Sequence, residues 1–162
     1  ASTLKHLGDI ARQLKRPGEA QGYLERALET QQEMNDLRAQ ANTLNSLGSL
    51  ALAQGDQKLA IRRFEQSLCL ALESGALPVA VHVLGQVASM LAARGRLVEA
   101  LEINALVRAH PAGEEQTRHQ AEKLGKELAA QLRPEAVTAA ESRGRNTPLA
   151  EMVARVQGCL ES

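Results

Sequence analysis

The sequence predicts an all-α fold built as an array of helical hairpins, and three observations carry that reading. First, three stretches superpose at a fixed offset of 40 residues: Leu4 to Ala11, Leu44 to Ala51 and Leu84 to Leu91. Their small and apolar positions coincide, as Leu4/Leu44/Leu84, Leu7/Leu47/Val87, Gly8/Gly48/Ala88 and, further on, Ala20/Ala60/Ala100. Self-similarity at such a period marks a stacked array, in which each unit buries its apolar face against its neighbours. Second, 44% of the 162 residues are apolar, yet Tyr23 and Phe64 are the only aromatics and Trp is absent. Leu, Ala, Val and Ile must therefore make the core, which suits closely approaching helices better than a sheet. Third, turn signals fall between the periodic runs rather than inside them.

Those signals place the elements in order. Gly55-Asp56 and Gly95-Arg96 follow helical patterns, where glycine takes the left-handed conformation that ends a helix and Asp56 is placed to cap the next one. Pro17, Pro78, Pro111, Pro134 and Pro148 fall at boundaries. The expected helices run over 2–14, 17–34, 37–54, 57–74, 78–94 and 97–109. The repeat stops after His110-Pro111-Ala112-Gly113. A longer helix is expected over 114–132, with Ala121, Leu124, Leu128 and Leu132 on one stripe. A short helix from Pro134 to Ser142 and a glycine turn at Arg143-Gly144-Arg145 follow. The last helix starts at Pro148, a residue favoured at the first helical position, and carries Leu149, Met152, Val153, Val156 and Leu160 on one face. The domain reading is three hairpins over 1–110 and capping helices over 111–162, all in one domain.

Charge excludes some function classes. Basic and acidic side chains balance at 19 each, with 12 against 11 in residues 1–112 and 7 against 8 in 113–162. A nucleic-acid binder shows a basic face, and single-strand binders add aromatic platforms. Neither is present, so no direct nucleic-acid partner is expected. No apolar run is long enough for a membrane span and no basic-then-apolar leader opens the chain, so no membrane partner and a cytoplasmic location are the expectations. Ala1 does not read as a native start. Cys69, beside Leu68, Leu70 and Ala71, reads as a small core residue, and nothing in its spacing to Cys159 argues for a disulfide.

Within each unit the order is Leu, Leu-Gly/Ala, a Gly-Asp-like turn, Ala, then a bulky residue. Gly48, Gly55-Asp56, Ala60, Phe64 and Leu68 give the clearest copy. This pattern resembles the tetratricopeptide repeat over residues 4–109, with a unit longer than the family's usual one. A mid-helix glycine costs about 1 kcal/mol relative to alanine, so at Gly8 and Gly48 a neighbouring helix needs the space. Departures from the pattern also stand out. Lys15 occupies the position of the turn glycine, leaving the turn to Pro17-Gly18. Asn104 replaces the bulky residue found as Leu24 and Phe64, and Val107 stands where Ala27 and Ser67 are. The third unit thus reads as the last one, modified to meet a different neighbour.

The resemblance implies a right-handed α-solenoid that binds protein or peptide ligands without catalysis. It places the ligand groove on the first helix of each hairpin, giving Lys5, Asp9 and Arg12, then Asn42, Asn45 and Ser49, then His82, Gln86 and Ser89 as candidate contacts. A carboxylate clamp of the chaperone kind does not fit: Asp9 would repel a ligand carboxylate, and Ser46, His82 and Gln86 miss the needed residue types. Residues 110–145 are similar to the ending of such repeats in large bacterial signal-transduction ATPases, including LuxR-type regulators. That likeness implies the C-terminal sensor or interaction part of a longer signalling or transcriptional regulator. No Gly-x-x-x-x-Gly-Lys-Ser/Thr phosphate loop occurs in the 162 residues. A small-molecule effector sensor and a stand-alone peptide adaptor are the alternatives.

No catalytic residue, metal or cofactor is expected. Glu115 and His119 share a helix face, but two ligands do not make a zinc site. Neither a nucleophile elbow nor a cysteine-protease signature appears. Glu25, Glu29 and Glu33 alternate with Arg26 and Gln31 as a solvated face does, and Arg143 and Arg145 read as a solvated turn rather than a phosphate site. The face of Leu4, Leu7 and Leu14 has no upstream neighbour, so it is expected either to self-associate or to stay partly exposed.

Overall fold

The computed structural model describes residues 2–160, with side chains through Gln157, so the readings made for Ala1, Cys159 and Leu160 fall outside the described residues. Every regular element among the described residues is an α-helix, and the fold class is all-α. The chain divides into two compact units, residues 1–79 and 80–162.

The first unit holds two hairpins, α1 (Ser2–Gln13) with α2 (Pro17–Glu33) and α3 (Leu37–Ala53) with α4 (Gln57–Glu73). Their limits lie within a residue of those read from the repeat. Asp36 and Asp56 cap α3 and α4, each Oδ1 accepting the N–H of Ala39 or Leu59 at 2.9 Å; this satisfies a donor that the helix start leaves orphaned. Helix crossings explain the two costly glycines. A Cβ on Gly8 would lie 2.6 Å from Leu24 Cγ, and one on Gly48 would lie 2.6 Å from the Phe64 ring. Leu24 and Phe64 are themselves wholly buried, among Ala20, Ala27, Leu44, Leu47, Ala60 and Leu68. Two buried hydrogen bonds tie the layers, Ser67 Oγ donating to the Ala41 carbonyl at 2.7 Å and Gln40 Nε2 to the Gln31 carbonyl at 3.2 Å.

The helix ends reveal a finer period than the repeat. Positive φ recurs every 20 residues, at Lys15, Asn35, Gly55, Gly75 and Gly95. After each, the next N–H reaches back five residues: Arg16 to Ala11, Asp36 to Gln31, Asp56 to Ala51, Ala76 to Ala71 and Arg96 to Leu91, at 2.8–3.0 Å. This is the left-handed helix ending that retires otherwise orphaned carbonyls. One expectation is corrected here. Pro17-Gly18 does not carry the first turn, because Pro17 already opens α2 and Gly18 lies inside it. Lys15 itself takes the left-handed conformation, with φ 57°.

Cys69 corrects a second expectation. It is exposed rather than buried, because α4 presents Ser67, Leu68 and Ala71 to the interior and turns residue 69 away. It stands at the edge of a shallow depression formed by α2, α3 and α4. On α1, Leu7 and Ile10 are exposed, as is Leu14 in the turn that follows it.

The second unit comprises most of α5 (Leu77–Ala93), α6 (Leu97–Ala109), α7 (Glu115–Ala129), α8 (Pro134–Asn146) and α9 (Leu149–Leu160). α6 lies at its centre, buried continuously from Ile103 to Val107, with α7 and α8 packed on it. Met152, Val153 and Val156 of α9 are buried as the helical stripe predicts. Leu124 and Leu132 are half-buried on the stripe that buries Ala121 and Leu128.

The glycine turn expected at residues 143–145 does not exist. α8 continues through it to Asn146, because Gly144 is the point where α8 crosses α6. A Cβ there would overlap the Glu102 carbonyl oxygen. Arg143 and Arg145 therefore lie on a helix, paired with Glu102 at 2.6 Å and Glu141 at 3.0 Å. Arg108 of α6 reaches the same Glu141 at 2.9 Å, so carboxylates flank the crossing and neutralise the arginines around it.

Candidate functional site

The residues proposed for ligand contact form three groups, on α1, α3 and α5. On α1, Lys5 Nζ and Asp9 Oδ2 pair along the helix at 2.6 Å, while Asp9 Oδ1 and Arg12 Nε are shielded from solvent without a hydrogen-bond partner. On α3, Asn42 Nδ2 donates to the Arg38 carbonyl of its own helix at 3.2 Å. Asn45 is half-buried with its Oδ1 unpartnered, and Ser49 is half-buried. These side chains edge the first helices of the first unit, and none of them lines the depression formed by α2, α3 and α4.

The third group converges. His82 and Gln86 are half-buried and Ser89 exposed on α5, and all three line one recess together with Gly85. Across from them α7 contributes Thr117, Gln120, Ala121 and Leu124. His82 Nδ1 and Thr117 Oγ1 share a hydrogen bond of 3.0 Å, joining α5 to α7 along one wall. Thr117 is buried and Gln120 exposed, so the wall grades from a buried hydroxyl to a solvent-facing amide. The cavity volume is about 40 Å³, enough for one or two waters or a head group of a few atoms.

Asn104 of α6 lines the same recess. It is wholly buried, and neither Oδ1 nor Nδ2 has a hydrogen-bond partner. Buried carboxamides of this kind are rare, since drying an amide without pairing it costs about 1–3 kcal/mol. α7 accommodates the residue by having no side chain opposite: a Cβ on Gly125 would lie 2.8 Å from Asn104 Nδ2 and 3.2 Å from Arg108 Nη1. Asn104 thus meets a neighbour that the earlier units lack, as its departure from the repeat pattern predicts. What sequence reasoning missed is that the substitution also makes a polar floor. The available signal was the Asn at the place of Leu24 and Phe64; Thr117 and Gln120 carry no periodic signal and become legible only once α7 is packed.

Chemically the recess is a hydrogen-bonding site. Its lining includes no Lys, Arg, Asp or Glu, and His82 is its one titratable group. A hydroxyl beside an imidazole begins a nucleophile–base pair, but no carboxylate in the lining orients the ring. Among the described residues no cluster of three or more His, Cys, Asp or Glu is placed to hold a metal, and Glu115 and His119 are both exposed on α7. No helix among the described residues is long and apolar enough to cross a membrane.

Compared with known protein families, residues 1–73 match the model of the tetratricopeptide repeat. The match spans α1 to α4 and supports a tetratricopeptide domain there. Such repeats generally mediate protein–protein interaction and are typically non-catalytic. Neither a curated protein nor a solved structure matches the chain.

Proposed function

We propose that this chain is a non-catalytic interaction module that binds a protein or peptide through the first helices of its hairpins. In this reading three hairpins occupy residues 1–110 and the helices of 111–162 cap them, as an array needs to cover its terminal apolar face. The observation that carries it is the recess where His82, Gln86 and Ser89 meet a dry, unpaired Asn104. Its volume of about 40 Å³ suits one side chain of a larger ligand and is well below the roughly 300–1,000 Å³ of a small-molecule pocket. A peptide therefore fits the site better than a free effector. The likeness of residues 110–145 to regulator endings adds a context to the proposal, in which the module is the sensor end of a longer signalling protein.

Thermal shift against peptide and metabolite libraries tests this function, because a ligand of the native state raises apparent stability by mass action. Peptides are expected to raise Tm, and His82→Ala and Asn45→Ala to lose the shift. A shift unchanged in both variants removes the groove assignment. Metabolite hits without peptide hits replace the adaptor reading with an effector sensor.

A further inference from the structure

We propose that the recess over Asn104 is an anchor pocket for a single primary carboxamide, the side chain of an asparagine or glutamine in the bound peptide; this rests on the peptide-binding function above and names what that site selects. At the equivalent positions of the first two units the chain places Leu24 and Phe64, both fully buried and apolar. Asn104 alone of the three brings a donor and an acceptor into a dry interior and leaves both without a partner. The group that satisfies both at once is another carboxamide, whose N–H donates to Oδ1 while its oxygen accepts from Nδ2.

Other chemistries fit less well for stated reasons. A carboxylate has no N–H to give Oδ1 and would repel it, and the guanidinium beside Asn104, that of Arg108, is already paired with Glu141; a cation would find no Asp or Glu in the lining. A metal ion would find a single imidazole. An apolar side chain would leave the Asn104 amide dry and unpaired. Gln86, Ser89 and Gln120 around the mouth are placed to meet the peptide backbone beside the anchored residue.

Gly85 supplies a control that leaves the fold in place. A Cβ there would sit 3.9 Å from Thr117 Cγ2 and from Val107 Cγ1. Those are ordinary contacts, so Gly85→Ala is expected to fold while narrowing the mouth.

The test uses the full chain, isotope-labelled so that the Asn104 side-chain amide is observed by NMR. The probes are N-acetyl-glutamine N-methylamide and its asparagine counterpart, with the glutamate and leucine analogues as comparators. The amide probes are expected to move the Asn104 resonances saturably, and the comparators to act at least about tenfold more weakly. Gly85→Ala should weaken the response without lowering Tm. Asn104→Leu should raise Tm and abolish the probe-induced shifts at His82 and Thr117. Three results would overturn the pocket: equal response to the leucine probe, an Asn104 amide that exchanges with bound water and ignores every probe, or a fall in Tm for Asn104→Leu. Should that variant fail to fold, Gly85→Ala and the probe series decide alone. The two proposals fail separately. Library peptides whose binding survives Asn104→Leu sink the anchor and keep the adaptor, whereas a clean amide response with no peptide hit keeps the anchor and sinks the adaptor.

Discussion

Leu24 and Phe64 in the first unit, and Asn104 in the second, occupy one position of the repeat and do opposite things with it. In the first unit the side chain fills a space that Gly8 or Gly48 clears, and the crossing is dry, apolar and complete. In the second, the side chain is just as buried but polar, and its partner glycine is Gly125 on α7, a helix outside the repeat. The contrast teaches that a repeat position holds its geometry while its chemistry is free to change. Where the position packs, apolar bulk stabilises the array; where it is given a carboxamide, a dry and unpaired amide takes the place of that bulk.

The sharpest way to break this comparison is to move the polar residue. Leu24→Asn places an unpaired amide and a void in the first unit, and is expected to cost about 4 kcal/mol, read as a lower urea midpoint. A loss below about 1 kcal/mol would mean that the buried amide of the second unit is unexceptional. Next in size is Gly144→Ala. Its Cβ must displace the Glu102 carbonyl, backbone against backbone, and about 3 kcal/mol of stability is expected to go. A neutral outcome would show that the α6–α8 crossing is looser than its geometry. The smallest effect has the opposite sign. Lys15→Gly should add about 1 kcal/mol by relieving a left-handed lysine, the one of the five left-handed endings described that is neither Gly nor Asn, with a raised thermal midpoint as the readout. No gain would mean that the lysine side chain makes up the strain locally.

Much of the fold was legible because its signals are local or periodic. The 40-residue offset located the first six helices to within a residue, and Gly8 and Gly48 announced helix crossings because glycine in a helix interior needs a reason. The same logic misread Gly144. Flanked by two arginines outside the repeat, it looked like a breaker, whereas it is the contact point of a continuous helix. Lys15 was misread for the converse reason: a residue that disfavours positive φ was assumed to avoid it, yet the hydrogen bond from Arg16 to Ala11 imposes the same ending as at Gly55. Cys69 took its burial from apolar neighbours in sequence, but a helix turns 100° per residue and presents adjacent positions to different faces. Of the candidate contacts, His82, Gln86 and Ser89 share a recess.

From the amino-acid order alone followed the all-α class, the repeat, the limits of the first six helices and the need for close crossings, since each depends on spacing along the chain and on backbone preferences of single residues. Only the packed structure decided that Asn104 is dry and unpaired, that α7 leaves room for it at Gly125, and that Gly144 joins two helices. Those properties depend on which distant side chain covers a given atom, and coverage is a property of three-dimensional packing that no local pattern encodes.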